Sequence, residues 1–182
     1  MKVEKTFIDG ILIIKPDLFE DTRGFFYESF NKTRYNQQGI DAEFVQDNVS
    51  KSGIGTIRGL HYQVGQFAQS KLCSVLQGKV LDIAVDIRFG SPTFGQYVSI
   101  ELSDKNKNQI WIPAGFSHGF LVKSDDTIFT YKCTAYYNKE SERTIIYNDA
   151  DLDIDWQIDK PLVSEKDIHG IAFSDIQKDF NI

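Results

Sequence analysis

The sequence has few of the residues that build disulfide frameworks and metal clusters. It contains two cysteines, Cys73 and Cys133, which lie far apart and form no C-x-x-C pair. It also contains only three histidines and no H-x-H sequence. The sequence therefore predicts neither a disulfide framework nor a cysteine-rich zinc site, and the sparse cysteines fit a reducing compartment.

Long hydrophobic runs and an excess of basic charge are also missing. The longest early apolar run, Ile11 to Ile14, is too short for a signal-peptide core or a membrane span. The net charge is −6, whereas general nucleic-acid binding needs a basic surface. We therefore expect a cytoplasmic protein that binds neither membranes nor nucleic acids. A local cluster of cations could still bind an anionic small molecule.

The sequence does contain many short segments typical of β-strands, and many aromatic residues. Its 14 Phe and 8 Tyr favour strands and stacking sites. In residues 80–87, apolar side chains alternate with Asp82 and Asp86, which predicts a half-buried strand. Further strand-like segments are 10–15, 25–30, 44–49, 56–63, 71–77, 97–102, 109–112, 119–122 and 127–136. Helical patterns are limited to 31–38, 164–168 and 174–180, so we predict one all-β domain, residues 1–182, with a few short and mainly C-terminal helices.

The stretch from Ile57 to Gln63 carries the first candidate catalytic residue, His61, which has the chemistry of a general base. On a regular strand, Arg58 and His61 would point to opposite faces, and only Gly59 would share the face of His61. Gly59 could leave room for a ligand, or it could mark a β-bulge. The alternative explanation for His61 is a histidine that is simply hydrogen-bonded within a sheet.

Three more residues have two explanations each. Lys71 begins a strand, and it is either a solvated lysine or a cation beside a developing oxyanion. Tyr131 lies in an aromatic strand, and it is either a packing residue or a general acid. Residues Ser164 to Asp167 fit an S-x-x-D capping box. Asp167 therefore either serves the start of a helix or orients His61.

A metal centre is not predicted. Residues Pro113 to Gly119 form a P-x-G-x-x-H turn that resembles half of the cupin signature. Metal-binding cupins carry two histidines and a glutamate in an earlier cluster, where this chain offers only His61. Transition-metal sites usually need three or four ligands, and His61, His118 and His169 are a weak set. The acidic run from Asp149 to Asp155 lacks the glycine and glutamate of a calcium loop.

Ten short motifs occur in a fixed order along nearly the whole chain. Three of them are Asp21 to Glu28 (D-x-R-G-F-F-x-E), Gln46 to Ser50 (Q-x-N-x-S) and Arg58 to Gln63 (R-G-L-H-x-Q). The others are Asp86–Arg88, Ser91–Gly95, Pro113–Phe120, Tyr131–Lys132, Tyr136–Tyr137, Asn148–Asp149 and Ser164–Asp167. Together they resemble the dTDP-4-dehydrorhamnose 3,5-epimerase family.

The resemblance implies a cupin-type jelly roll of two packed antiparallel sheets, without metal or cofactor, that acts as a homodimer. By matched position it implies that His61 is the base, Asp167 its partner, Tyr131 the acid and Lys71 the residue that steadies the oxyanion. The implied nucleotide-sugar site comprises Arg23, Glu28, Gln46, Asp47, Asn48, Arg58, His118, Tyr137, Glu142 and Lys166. Of these, Tyr137 would stack on the base, and Arg23 and Glu28 would reach into the neighbouring subunit.

The implied reaction is epimerisation at C3 and C5 of dTDP-4-dehydro-6-deoxy-D-glucose to dTDP-4-dehydro-L-rhamnose. This step belongs to dTDP-L-rhamnose biosynthesis, which supplies cell-surface polysaccharides. Two alternatives stay open. A C3-only epimerase of a related nucleotide 4-keto-deoxysugar could use the same residues. A non-catalytic sugar-binding jelly roll should lack at least one of the four catalytic candidates, and all four are present.

Overall fold

The computed structural model describes residues 1–182, and strands dominate its secondary structure. In chain order the strands are β1 (Lys2–Lys5), β2 (Leu12–Lys15), β3 (Phe19–Asp21), β4 (Gly24–Phe26), β5 (Gln46–Ser52), β6 (Thr56–Gln63), β7 (Lys71–Gln77), β8 (Lys79–Asp86), β9 (Tyr97–Ser103), β10 (Gln109–Ile112), β11 (Phe116–Val122), β12 (Thr127–Cys133), β13 (Glu142–Thr144) and β14 (Leu162–Val163). The helices are α1 (Lys32–Asn36) and α2 (Glu165–Ile168), with 3-10 turns at Gly65–Phe67 and Phe173–Asp175.

Two large sheets form the body of the protein. The first has the strand order β1-β2-β10-β7-β12-β5, and the second has the order β13-β6-β11-β8-β9. Their ladders are antiparallel, and the short β14 adds a parallel pairing to β6. A small hairpin, β3–β4, pairs with neither sheet. The all-β prediction is confirmed, and the arrangement is a cupin-type jelly roll.

Hydrophobic clusters cover both faces of the second sheet. One cluster of 14 buried residues joins the two sheets, and within it the Phe120 and Phe129 rings stack with their centroids 4.1 Å apart. A second cluster packs β6, β8 and β11 against later residues that include Trp156 and Ile176. The half-buried prediction for β8 was therefore wrong. The C-terminal segment covers the face of β8 that carries Ile83 and Val85. Asp82 and Asp86 lie on the opposite face, toward the first sheet, and are fully buried there.

Strand β6 does not alternate regularly. Its pairing with β11 shifts register between the His61–His118 and Arg58–Phe120 pairs, as in a β-bulge. Ile57 and Leu60 consequently both face the second cluster, although they are three residues apart. Arg58 and His61 would point to opposite faces of a regular strand, but here both line one cavity, in agreement with the alternative that Gly59 marks a β-bulge.

The helices are short and capped by side chains. The Asn31 side chain accepts a hydrogen bond from Arg34 N at the start of α1, in agreement with the sequence. The α-helix predicted at 174–180 is absent: residues 174 and 175 end a 3-10 turn, residues 176–180 form no regular element, and Phe89 N donates to Phe180 O at 2.8 Å. The strand predicted at 25–30 ends at Phe26. None of the helices has the length and apolar character needed to span a membrane.

We predict that Gly59→Ala is strongly destabilising. An added Cβ would lie 2.4 Å from Gly119 Cα, and the residue has φ +139°. Strain and overlap together should lower the free energy of unfolding by at least about 2 kcal/mol, measured by chemical denaturation. Gly39→Ala is the control, because Gly39 also has positive φ but nothing lies near its missing Cβ. Equal losses in both variants would show that the contact between the two glycines contributes nothing.

Candidate active site

The candidate site is a pair of adjoining cavities beside β6 and β12. The outer cavity is about 600 Å³, and its lining includes Arg58, Lys166 and Asp167. The inner cavity is about 130 Å³, and its lining includes Gln46, Asn48 and Lys71. Both cavities share His61, Tyr131, Tyr137 and Glu142. The fold thus brings together residues that are far apart in sequence and that the motifs had singled out.

His61 and Asp167 form a close pair. His61 Nε2 lies 2.6 Å from Asp167 Oδ1, while Gly59 N donates to Asp167 Oδ2 at 3.2 Å. Burial opposes ionisation of Asp167, but the hydrogen bond and charge of His61 nevertheless lower the carboxyl pKa. His61 Nδ1 makes no hydrogen bond within the protein. The imidazole therefore has one nitrogen fixed by a carboxylate and the other free to accept a proton.

The capping box explains how Asp167 is held. Ser164 Oγ accepts a hydrogen bond from Asp167 N at 3.2 Å, so the cap uses the backbone of Asp167 and not its carboxylate. Asp167 is only 3% exposed, and its carboxylate is left to contact Gly59 and His61. Both explanations of the S-x-x-D sequence therefore apply, to different atoms of one residue.

Lys71 and Tyr131 come from the neighbouring strands β7 and β12. Lys71 Nζ lies 3.5 Å from the carbonyl oxygen of His61 and 5.9 Å from the centre of the Tyr131 ring. Burial raises the pKa of Tyr131 to about 12, with further contributions from the two buried cysteines. The phenol therefore keeps its proton at neutral pH and is able to donate it.

Polar residues surround the cavity mouth. Gln46 connects two of them, because it donates to Asn48 Oδ1 at 3.0 Å and accepts from Tyr137 N at 2.9 Å. Glu142 accepts from Lys166 Nζ at 2.5 Å and from the Tyr137 hydroxyl at 3.1 Å. These contacts hold the Tyr137 ring, which is half exposed, at the entrance.

Arg58 and Lys166 supply positive charge beside the outer cavity. The Arg58 guanidinium makes one hydrogen bond, from Nε to Ser52 Oγ at 3.1 Å, and is otherwise exposed to solvent. Lys166 is paired with Glu142, as described above, and its side chain is 48% exposed. Both groups can reach an anionic ligand, because neither is enclosed by protein.

Four predicted binding residues are not brought to these cavities within one chain. Asp47 projects from the opposite face of β5 and pairs with Lys132 Nζ at 2.9 Å. Arg23 is bonded to Asp21 in the exposed hairpin, and Glu28 contacts residues of α1 and its cap. His118 is buried behind the cavities and faces Asp82.

Two glutamines of the inner cavity were not among the predicted site residues. Gln63 accepts from Asn138 N at 2.6 Å and donates to Phe67 O and Tyr136 O, so it anchors the loop that carries Tyr137. Gln69 donates to Ala135 O at 2.8 Å in the same loop. Gln63 stands at the end of the R-G-L-H-x-Q motif, and that position was the available signal.

A base, a proton donor and an ammonium group around one cavity provide the parts for moving a proton next to a carbonyl. This site in a jelly roll defines a class of protein, the jelly-roll isomerases that act by acid–base chemistry. The family model for dTDP-4-dehydrorhamnose 3,5-epimerase matches residues 5–175, and the chain belongs to that family.

Individual relatives agree with this assignment. The dTDP-4-dehydrorhamnose 3,5-epimerase of Shigella flexneri is 51% identical over 176 residues, which cover 96% of this chain and 97% of that protein. A dTDP-6-deoxy-D-glucose-3,5-epimerase from Legionella pneumophila, solved with dTDP-4-keto-L-rhamnose, has a TM-score of 0.93 and 52% identity, covering 97% and 94% of the two chains. A 3'-monoepimerase from Streptomyces bikiniensis, solved with dTDP-quinovose, has a TM-score of 0.87 and 30% identity, covering 93% and 86%.

We predict that Asp167→Asn lowers kcat by about 10²–10⁴-fold, because an amide cannot stabilise the imidazolium that forms on His61. The variant should also change the pH dependence of stability. The pKa of Asp167 lies below its usual 3.8, so its carboxylate stabilises the folded state above that pH, and the stabilisation is lost as pH falls through the lowered pKa. Urea denaturation between pH 2.5 and 5 measures this slope.

Ser164→Ala is the matched control for Asp167→Asn. It removes the cap and should lower the free energy of unfolding by about 1 kcal/mol, while most of the activity remains. If Ser164→Ala and Asp167→Asn lose activity equally, the carboxylate matters only through the stability of α2. An unchanged acid slope in Asp167→Asn would contradict the lowered pKa of Asp167 and hence its ionic pairing with His61.

Proposed function

We propose that the chain epimerises C3 and C5 of dTDP-4-dehydro-6-deoxy-D-glucose to give dTDP-4-dehydro-L-rhamnose, a step in dTDP-L-rhamnose biosynthesis. The observation that carries the proposal is the His61–Asp167 pair next to Tyr131 and Lys71 in the two adjoining cavities. Residues 1–182 act as one jelly-roll domain. A cytoplasmic location is part of the proposal, and the two free, buried cysteines are compatible with a reducing compartment.

His61 is the base in this mechanism. The protons on C3 and C5 are both acidic, because each carbon is next to the C4 ketone. His61 Nδ1 takes one of them, the C–H electron pair moves into the ring, and the C4 oxygen becomes an enolate oxygen. Asp167 stabilises the resulting imidazolium through its 2.6 Å contact with Nε2. Lys71 places its positive charge where the negative charge develops.

Tyr131 is the acid. It donates its proton to the enolate carbon from the face opposite His61, and the C4 ketone re-forms as the electron pair returns to that carbon. Inversion follows because removal and addition occur on opposite faces. The phenol begins each cycle protonated, since burial has raised its pKa to about 12. Exchange with solvent then returns a proton to Tyr131 and removes one from His61.

The nucleotide part of the substrate occupies the outer cavity in this proposal. Arg58 and Lys166 attract the diphosphate. The Tyr137 ring stacks on the thymine at the mouth, and Gln46, Asn48 and Glu142 supply polar contacts nearby. Asp47 lies on the face of β5 opposite Gln46 and Asn48, so its contact with the substrate stays a prediction.

The proposed assembly is a homodimer in which the β3–β4 hairpin of each chain completes its partner's site. Phe19, Phe25 and Phe26 on this hairpin are between 54% and 68% exposed, which is unusual for a group of aromatic residues in a monomer. Strand β5 is also an unpaired sheet edge, with Val49 exposed on it. A second chain would cover these surfaces and would bring Arg23 and Glu28 to the diphosphate.

A C3-only epimerase is the second candidate, because the monoepimerase from Streptomyces bikiniensis shares the fold. His61, Lys71 and Asp167 would serve both reactions equally. The two candidates differ in whether C5 receives a proton from the face of Tyr131. A non-catalytic sugar-binding protein would have no need for a carboxylate-paired imidazole beside a protonated phenol and a buried ammonium.

The test is incubation with dTDP-4-dehydro-6-deoxy-D-glucose in deuterated water, followed by NMR at C3 and C5. We expect deuterium at both carbons and formation of the L-lyxo product. His61→Ala should reduce exchange at both carbons by about 10³-fold or more, and Tyr131→Phe should slow inversion more than exchange. Deuterium at C3 alone would assign the protein to the monoepimerases. Exchange that survives in His61→Ala would contradict the single-base mechanism.

Dimer-completed sites predict complementation between two weak variants. Co-expressed His61→Ala and Arg23→Ala chains with different tags can be purified as heterodimers. If Arg23 acts across the interface, one of the two sites is intact and about half of the wild-type activity per dimer returns. If Arg23 acts within its own chain, both sites are defective and no activity returns. A monomer in sedimentation would contradict the proposed assembly directly.

A further inference from the structure

The β3–β4 hairpin has little to fix its direction within one chain. It pairs with neither large sheet, and the side chains of Phe19 and Phe26 on it are mostly exposed. The proposed dimer nevertheless needs this hairpin to present Arg23 to a second chain in a defined orientation. The contacts that hold the hairpin against its own jelly roll therefore matter for the site of the partner.

Lys107 makes one of these contacts. It lies on the loop between β9 and β10, and it is only 7% exposed. Its Nζ is 3.8 Å from the centre of the Phe25 ring and 5.8 Å from the centre of the Tyr27 ring. The two rings are themselves 6.2 Å apart. The ammonium thus lies over two aromatic residues at one end of the hairpin.

The burial of Lys107 needs a compensating interaction. Lysines are seldom buried, because an ammonium loses hydration there. Other lysines of the chain pair with carboxylates, but Lys107 takes part in no ion pair. The attraction between its charge and the Phe25 and Tyr27 rings is the compensation that the structure shows, and desolvation strengthens it.

The loop that carries Lys107 is held in one conformation by its own hydrogen bonds. Asn106 Oδ1 accepts from Ser103 N at 3.1 Å and from Asn108 N at 3.0 Å, and Asn106 Nδ2 donates to Glu101 O at 2.9 Å. Lys107 N donates to Ser103 O at 3.0 Å, with φ +55° at Lys107. The ammonium therefore projects from a fixed backbone.

A second contact holds the other end of the same segment. Gln109, at the start of β10, is 2% exposed, and its Nε2 donates to Ser29 O at 2.8 Å. Lys107 and Gln109 thus hold residues 25 and 29, on either side of Glu28. Arg23 lies just before the held segment, in the turn of the hairpin.

We propose that Lys107 is a positioning residue for the active site of the neighbouring subunit. Its ammonium holds Phe25 and Tyr27, and thereby keeps the hairpin in the orientation that brings Arg23 and Glu28 to the diphosphate of the partner's substrate. Lys107 does not touch that substrate itself. This inference rests on the proposed function, and in particular on the exchanged hairpins of the proposed homodimer.

The first test measures the mobility of the hairpin by amide hydrogen exchange and mass spectrometry of residues 19–27. Lys107→Met keeps the length of the side chain but removes its charge, and exchange should become at least about 5-fold faster. Lys107→Arg retains a cation and should exchange like the wild type. Unchanged exchange in Lys107→Met would overturn the role of the ammonium.

Lys105→Met is the matched control. Lys105 lies in the same loop and loses the same charge, but its side chain is exposed and contacts no aromatic ring. This variant should leave the hairpin exchange unchanged. If Lys105→Met and Lys107→Met accelerate exchange equally, the effect comes from the net charge of the loop, and the proposed contact is overturned.

The second test separates positioning from a general loss of structure. Lys107→Met should weaken dTDP binding, measured by calorimetry, and raise KM by about 5- to 30-fold, because the diphosphate loses well-placed contacts. The kcat should stay within about 2-fold of the wild type. A merely structural defect would lower kcat through the fraction of active protein and leave the affinity for dTDP unchanged, which would overturn the proposal.

Phe25→Leu provides a second variant that removes the aromatic partner. If the two residues act through their contact, Lys107→Met should have little further effect on dTDP affinity in the Phe25→Leu background. Any separate effect of Phe25 on the dimer interface cancels in this comparison. Fully additive losses would show that Lys107 acts independently of Phe25 and would overturn the proposal.

The closing test asks which subunit Lys107 serves. Differently tagged His61→Ala and Lys107→Met chains are purified as heterodimers and assayed below KM. If Lys107 acts on the partner's site, the site with an intact His61 receives the hairpin of the chain with an intact Lys107. About half of the wild-type activity per dimer then returns. If Lys107 acts within its own chain, only about half of the Lys107→Met activity is seen, and the proposal is overturned.

The possible failures are distinguishable. Recovery in the His61→Ala and Arg23→Ala heterodimer without recovery here would overturn only the role of Lys107. Failure of both heterodimers would overturn the exchanged hairpins, and this inference with them. A wild type that does not epimerise the substrate would overturn the proposed function, whereas hydrogen exchange and dTDP affinity would still report on Lys107.

Discussion

The close approach of Gly59 to Gly119 is the contact on which the site depends. At this point the backbones of β6 and β11 come so near that a Cβ on Gly59 would lie 2.4 Å from Gly119 Cα. The accompanying shift in register places Arg58 and His61 on the same side of the strand. A regular strand would turn one of them into the hydrophobic cluster behind the sheet. The Arg58 guanidinium and the His61 imidazole therefore line one cavity only because alternation is interrupted here.

The interior of the jelly roll combines hydrophobic packing with an unusual number of buried polar groups. Asp82, His118, Lys71 and Asp167 are all nearly or fully buried, and each has a polar neighbour. Burial disfavours the charged form of each group. It therefore raises the pKa of the Tyr131 phenol, which stays protonated, and lowers the pKa of the His118 imidazole. The rings of Phe120 and Phe129 stack on each other, and the Phe129 ring also stacks on His118. Apolar surroundings of this kind strengthen charge interactions.

The sequence predicted local structure well where the cause is local. The bounds of β6, β7 and β10 agree with the predicted segments, and the caps at Asn31 and Ser164 are where expected. The sequence-based prediction failed where the structure depends on contacts with distant parts of the chain. Asp82 is buried between the sheets against His118, which lies 36 residues later in the chain. Residues 176–180 form no helix, and in them Ile176 and Phe180 pack in the second hydrophobic cluster.

The same difference between local and distant causes applies to the candidate site. Periodicity gave no reason to place Asp167 beside His61, because 106 residues separate them. Their pairing was anticipated only through resemblance to a family, and the structure supplies its physical basis in α2 and Gly59. No single-chain pattern could place Arg23 either, since its surroundings in the monomer are solvent and Asp21. The roles of these residues in catalysis and binding remain predictions.

His61 and Asp167 are 106 residues apart in sequence, and this distance along the chain matters while the protein is synthesised on the ribosome. β6 is made early, but β14 and α2, which deliver the carboxylate, come from the last fifth of the chain. A nascent chain can assemble most of both sheets and still lack the partner of its imidazole. Pairings between such distant segments form slowly during folding. The His61 imidazole therefore acquires its carboxylate partner only when synthesis is almost finished, so that an incomplete chain holds a jelly roll without the His61–Asp167 pair.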